Sequence, residues 1–395
     1  MNLNTKTKVA IISHFTFKDD ENGEQFPGNI RNFLLKKIGK LVYIDHPFIE
    51  SQGTISDFIA SQMRIYESGE KKYQLTSPKL KLPALILFIY QLFLTIFFIS
   101  WKPMKYDLCI ACDNLSLISV FIFKKIGLIK KLIYYTVDYT PKRYSNSLLN
   151  NLYHRMDRLA SMISDVNWVV VENMITAKAQ NGLDFKKSAP FQIVPIGFNT
   201  ENIFIKPNSQ IDRFNLVFVG YLFEKQGLQL VIEILPALIK KFPQVHLTII
   251  GSGPMESQIK RKVKLLNLRP YVTFTGHINN HQKIVNILTK SGGIGLAPYI
   301  PSIGDYTYFA DPSKIKLYLL CGLPVITTKV PPIAKEIAKK EAGFAIDYSE
   351  QELIDSLTTL LNDEKTYSEF RQNVLKLGKS YDINLTLDKA FKKLP

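Results

Sequence analysis

Acids and histidines gather in one half of this sequence and glycines in the other, and both sets stand at the ends of apolar runs. In the first half the runs close on His14, on Asp45 and His46, on Asp113 and Asn114, on Asp138, and on Glu172 and Asn173. In the second they close on Gly220 and Tyr221, on Gly251, Ser252 and Gly253, on His277, and on Pro298 and Tyr299. Carboxylates and imidazoles accept or hand over protons near neutral pH. Glycines at a strand end let backbone N–H groups approach a phosphate closely. The split suits a phosphate-bearing ligand held by the second half and a proton-losing partner held by the first. His14, Asp113 and Asp138 are then the candidates for proton transfer. Asp45, His46, Asn114, Lys142 and Arg143 are candidate contacts to the proton-losing partner. A strand-end aspartate serves equally well as a helix cap or turn residue.

Two loops of the second half sharpen this. "IIGSGPMESQI", 249–259, reads as strand, Gly-Ser-Gly-Pro, helix, a layout for a phosphate or nucleoside and equally for a simple tight turn. In "FADPSKIKLYLLCGLPVITT", 309–328, Pro312 and Ser313 open a helix whose free N–H groups and positive dipole end suit an anion. Asp311, Lys314 and Lys316 stand beside that start.

The elements that must position these residues follow one pattern, an apolar strand, a small or polar turn, then a helix. The strands of the first half are "KVAIISHF", "KLVYIDHP", "YDLCIACDN", "KLIYYTVDY", "NWVVVEN" and "FQIVPIGF". Those of the second are "NLVFVGYL", "VHLTIIGSGP", "YVTFTGHI", "GGIGLAPY" and "GLPVITT". Near-continuous Val, Ile, Leu and Tyr bounded by Gly, Pro, Asp and Asn is how buried parallel strands read. Alternation with helices such as "GLQLVIEILPALIKKF" implies an α/β protein of two doubly wound, Rossmann-like domains, 1–200 and 201–372, followed by 373–395. Ligands of such sheets bind beyond the carboxyl ends of the strands.

Composition bounds the rest. The 395 residues suit two cores, and a formal charge of +16 attracts anions. Three cysteines make no disulfide framework, and the two of "CIAC" should face opposite sides of a strand. No His, Cys or Asp cluster has metal-ligand spacing, and no nucleic-acid motif accompanies the basic charge. His154, His246 and His281 read as ordinary helix, strand-entry and surface residues. The short polar start "MNLNTKTKVAIISHF" shows no signal peptide, so a cytosolic setting is expected.

"LPALILFIYQLFLTIFFISW", 82–101, has the length of a membrane span. A span there would part the strands at 8–15 and 41–46 from their partners at 106–113 and 132–138. The remaining readings are a buried crossover helix and a helix lying in a membrane surface. Lys79, Lys81, Lys102 and Lys105 on its flanks favour the second, since anionic headgroups add about 1 kcal/mol per nearby basic residue.

The runs "VFVGYLFEKQGLQLVIEILP", "IIGSGP…VTFTGHI" and "DPSKIKLYLLCGLPVITT" resemble the donor domain of GT-B glycosyltransferases, especially glycosyltransferase family 4. "VPIGFNTENIF" resembles the passage between the two domains of such enzymes, and the likeness covers about residues 190 to 345. It implies two Rossmann-like domains facing a cleft, with a nucleotide sugar (UDP- or GDP-linked) on the second and the acceptor on the first. The last helix, "DINLTLDKAFKKL", is expected to return to the first domain. Gly220, Tyr221, Lys225, Gly251, Gly253, His277, Asp311, Ser313 and Lys314 become the donor-binding candidates. The resemblance implies transfer of a hexosyl group with retention, the leaving phosphate acting as base, without metal or cofactor. The sequence departs from the family where Tyr221 replaces an arginine and Gln226 a lysine, with Lys225 next door. The family's two glutamates fall on Phe309 and Leu317, leaving Asp305, Asp311, Ser313 and Lys314 as polar residues there. The apolar run and the lysines add a glycan or lipid-linked acceptor on the cytoplasmic face of a membrane, as in polysaccharide biosynthesis, with the protein peripheral on an anionic surface. A catalytically silent binding protein and a GT-B sugar-nucleotide epimerase are the alternatives.

Overall fold

The structure is a computed structural model that describes residues 1–16, 26–47, 60–80, 82–301 and 306–394. Contacts divide it into two compact units, residues 1–198 with 383–395, and residues 199–382.

The first unit is built on β1 (Lys8–Thr16), α1 (Gly28–Leu35), β2 (Lys40–Pro47), β3 (Gln62–Glu67), β4 (Glu70–Thr76), α2 (Ala84–Trp101), β5 (Tyr106–Ala111) and α3 (Asn114–Lys125). It continues through β6 (Ile129–Thr136), α4 (Ser147–Ile163), β7 (Val166–Val169), α5 (Glu172–Gln180) and β8 (Phe191–Ile193). Among the described residues its sheet runs β4-β3-β2-β1-β5-β6-β7-β8. The six strands expected from the apolar runs pair in parallel, and β3 with β4 adds an antiparallel hairpin outside β2. That hairpin has no apolar run to announce it: β4 lies at the sheet edge and is mostly exposed, as "EKKYQLT" allows. Charged edge strands of this kind resist pairing with other chains.

The second unit comprises β9 (Asn215–Val219), α6 (Leu228–Lys241), β10 (His246–Ile250), α7 (Glu256–Leu265), β11 (Val272–Gly276), α8 (His281–Ser291) and β12 (Ile294–Ala297). It then adds α9 (Ser313–Leu320), β13 (Val325–Thr328), α10 (Ala334–Lys339), β14 (Gly343–Ile346), α11 (Glu350–Asn362) and α12 (Glu364–Lys379). The sheet, β11-β10-β9-β12-β13-β14, is parallel throughout, and β14 was not among the expected strands. Residues 373–382 stay with this unit.

The chain then returns to the first unit as α13 (Ile383–Lys392). Phe391 stacks on Phe33 of α1 with ring centroids 5.9 Å apart and meets the buried Trp168 at 5.3 Å. Lys37 and Asp388 form an ion pair of 2.5 Å beside them.

Helix α2 has two apolar faces with different fates. Leu87, Phe98 and Ile99 are buried, and so are its polar residues Gln91 and Thr95. Leu85, Ile86, Ile89, Phe93, Phe97 and Trp101 form an exposed row at helical spacing. Its neighbour α3 exposes Ile122, with Ile126 just past its end also exposed, and α4, packed on α3, exposes Leu148, Leu152 and Leu159. Among the described residues no helix is long and apolar enough to cross a membrane.

Candidate active site

In the first unit the carboxyl ends of β1, β2 and β5 bring together His14, His46 and Asp113. Asp113 caps α3 by accepting from the Ser116 N–H at 2.8 Å, and it also accepts from the Ser116 hydroxyl at 2.6 Å. The same carboxylate takes the His14 backbone N–H at 3.2 Å and its ring Nδ1 at 2.9 Å. Burial pushes the Asp113 carboxyl upward, but the neighbouring His14 and these bonds outweigh it and hold the group down at about 2. An Nδ1–H aimed at a carboxylate leaves Nε2 as the bare lone pair of the ring. Nε2 of His14 is buried and has no hydrogen-bond partner among the described residues. A buried orphan of this kind costs about 1–3 kcal/mol and asks for a ligand-side explanation.

His46 lies fully buried against His14, the rings stacked with centroids 4.6 Å apart. The Thr95 hydroxyl donates to the Gln91 carbonyl at 3.0 Å, so it accepts from His46 Nε2 at 2.8 Å, and the Ser61 hydroxyl serves Nδ1 at 2.9 Å. Desolvation first, and the neighbouring His14 second, depress the His46 pKa well below its ordinary value. His46 is therefore a neutral ring that ties α2 to the His14 site.

The other candidates of this unit are placed differently. Asp45 is buried and held by Arg64 at 3.1 and 2.9 Å, a pairing across β2 and β3 that uses its charge. Asp138 pairs with Arg143 at 2.9 Å, and Arg143 also lies over the Tyr153 ring at 5.4 Å. Lys142 is exposed, and Asn114 opens α3 with its amide 3.5 Å from the Tyr153 carbonyl. His154, read as an ordinary helix residue, is buried and bonds the Pro141 carbonyl at 2.8 Å, which anchors the loop that carries Asp138. Cys109 and Cys112 are buried free thiols, and burial drives both pKa values up.

In the second unit the glycine loops pack on one another. Gly251 has φ +144°, and a Cβ there would sit 1.9 Å from the Gly220 carbonyl oxygen. A Cβ on Gly253 would meet Leu222 backbone at 2.7 Å, so both glycines are explained by the closeness of two strand-end turns. The tight-turn reading of "GSGP" thus accounts for these residues without a ligand. Gly220 borders Lys314, whose Nζ lies 3.0 Å from where a Gly220 Cβ would be.

Lys314 reaches from the first turn of α9 to Gln226, bonding its amide oxygen at 2.6 Å. Desolvation lowers the Lys314 pKa to about 7. Asp311 is committed to a buried ion pair with Lys316 and has no charge to spare for a ligand. Ser313 and His277 are exposed. Tyr221 is exposed and packs its ring on Phe223 at 4.4 Å, while Lys225 is exposed with its ammonium 5.6 Å from the Tyr306 ring. Leu317 is buried in the apolar cluster of α9, so its position is dry core. Asp305 lies outside the described residues.

Two Rossmann-like units of these topologies define a GT-B protein. Residues 213–363 match the family model of Glycosyl transferases group 1, and the chain is similar to that family in sequence and fold. It is 24% identical over 203 residues to an uncharacterized glycosyltransferase of Haemophilus influenzae, covering 48% of this chain and 54% of that one. It is 22% identical to the GDP-mannose-dependent alpha-(1-6)-phosphatidylinositol monomannoside mannosyltransferase of Mycolicibacterium smegmatis, covering 45% and 48%. The alignments thus span about half the length of these curated relatives. The crystal structure of Anabaena HepE in complex with UDP and glucose superposes with a TM-score of 0.65 at 15% identity, over 98% of this chain and 100% of that one.

Proposed function

We propose that this protein transfers a hexosyl group from a UDP- or GDP-linked sugar to a glycan or lipid-linked acceptor at the cytoplasmic face of a membrane. The observation that carries the reading is the group 1 match over the second sheet, whose strand ends hold Gly220, Gln226 and Lys314 side by side. Negative charge grows on the diphosphate as the C1–O bond breaks, and a cation placed there stabilises it. HepE bound to UDP and glucose, and a relative that uses GDP-mannose, support a nucleotide-sugar donor.

In this reading His14, oriented by Asp113, holds the acceptor hydroxyl through Nε2, and the 2.9 Å bond to the carboxylate supports it. The family resemblance supports retention, in which the leaving phosphate takes the acceptor's proton. The membrane reading draws on the exposed apolar row of α2 with Lys79, Lys102 and Lys105 beside it, a composition that suits an anionic lipid surface. The relative acting on phosphatidylinositol monomannoside supports a lipid-borne acceptor.

The test is transfer from UDP- and GDP-sugars by the purified protein to polyprenyl-phosphate-linked acceptors in vesicles. Transfer supports the reading. No turnover, and no stabilisation by any nucleotide sugar, would sink it in favour of a silent binding protein, the alternative that Leu317 and Phe309 motivate. Epimerised nucleotide sugar without acceptor would favour an epimerase.

A further inference from the structure

Lysine ammonium groups enclosed by protein normally bring a carboxylate with them, because an unpaired buried charge is costly. Lys178 pairs with Asp157, and Lys316 with Asp311, both pairs buried. Lys314 is half-buried and stands apart from both. No carboxylate partner accompanies it among the described residues, and burial alone shifts its titration. Its ammonium lies 4.1 Å from the Phe218 ring centroid and 5.4 Å from that of Tyr299, with Gln226 as its hydrogen-bond acceptor.

Gln226 stands where the resembled family places a lysine on the donor's diphosphate, and Tyr221 where it places an arginine. The Lys314 ammonium arrives from another helix at the very side chain that replaces the missing lysine. Beside Lys225, this turn thus receives a second positive charge from α9. We propose that Lys314 supplies the cation that holds the donor's diphosphate, and that it takes up a proton when the nucleotide sugar binds. This rests on the donor reading above and adds to it a named cation and a proton linkage.

The linkage follows from the surroundings. Desolvation brings Lys314 down to about 7, and two phosphate charges at the ammonium favour the protonated form. Of the groups that face it, Tyr299 is a phenol driven upward by burial and stays neutral, Gln226 and Phe218 carry no charge, and Lys316 is neutralised by Asp311. Glu224 and Lys225 of the same turn are exposed to solvent. Binding that raises a pKa is at full strength below the free value and weakens about tenfold per pH unit above it.

Calorimetry of the full chain with UDP-glucose and with GDP-mannose, at pH 6.5 and 8.5 in buffers of different ionisation enthalpy, tests this. The donor that binds should do so roughly twentyfold more weakly at pH 8.5, with close to one proton taken up there. Lys314→Gln should weaken binding at pH 6.5 and flatten the pH dependence, at an unchanged melting temperature of the free protein. Lys314→Arg should bind with no pH dependence, because a guanidinium stays charged throughout. PH-independent affinity in the unmodified protein, or a Lys314→Gln variant that binds like it, overturns the role of Lys314 and leaves the donor reading standing. Failure of the unmodified protein to bind either nucleotide sugar overturns the donor reading, and the inference with it.

Discussion

His14 and Asp113 come from strands β1 and β5 and meet through a 2.9 Å bond between Nδ1 and the carboxylate, with the His14 ring stacked on His46 behind it. One carboxylate thereby caps a helix, pins a backbone N–H and orients an imidazole. Asp113→Asn keeps the shape but loses the charge. It should cost about 1–2 kcal/mol through the weakened cap. It should also lower kcat far more than KM for donor, because the imidazole loses its oriented tautomer. The charge on Asp113 stabilises the fold above the ordinary carboxyl value of 3.8, and this contribution disappears as pH falls toward about 2. Urea titrations at pH 7 and pH 2.5 should show the gap between variant and parent closing.

His14→Ala should leave donor binding intact and slow transfer at least tenfold at saturating acceptor. Single-turnover kinetics against calorimetric donor affinity separates the two quantities. A variant that transfers at the parent rate would remove His14 from the chemistry.

His46 titrates low because it is buried, so the unfolded chain binds protons before the folded one does. Stability should be complete above pH 6.5, the ordinary imidazole value, and fall as pH drops below it. His46→Gln should lose that acid sensitivity between pH 6.5 and 5, measured by thermal melting, while losing overall stability through the broken Ser61 and Thr95 bonds.

The two sides of α2 make opposite predictions. Phe93→Ser with Phe97→Ser alters exposed positions and should leave the melting temperature within a few degrees. Co-sedimentation with anionic vesicles should drop about tenfold or more, from the lost apolar contact. Phe98→Ser alters a buried position and should cost about 3–5 kcal/mol instead. Unchanged vesicle binding by the exposed-face variant would rule out insertion of that face.

Much of the fold was legible because buried parallel strands announce themselves as runs of Val and Ile. The hairpin of β3 and β4 was not, since "QMRIYE" and "EKKYQLT" mix charge with apolar residues at an edge that water can reach. Strand-end reasoning found His14, His46 and Asp113 separately. Their contact is a matter of strand order, which joins residues 99 positions apart. Ser116 carried a readable signal as the third residue after a capping aspartate. Asp45 and Asp311 were misleading as free acids, because their partners Arg64 and Lys316 become visible only with strand register and helix facing. The helix start points to Lys314, but its meeting with Gln226, 88 positions away, depends on a fold that no local pattern encodes.

The return of α13 has a consequence for how the protein is made. A ribosome releases residues 1–198 first, yet the aromatic stack of Phe33 on Phe391 waits for the last helix. The unit begun first is the one completed last, after residues 199–382 have had time to fold by themselves. Until then the surface that α13 covers stands bare, so a nascent chain that has emerged only as far as residue 382 is open to holdase chaperones on its first unit.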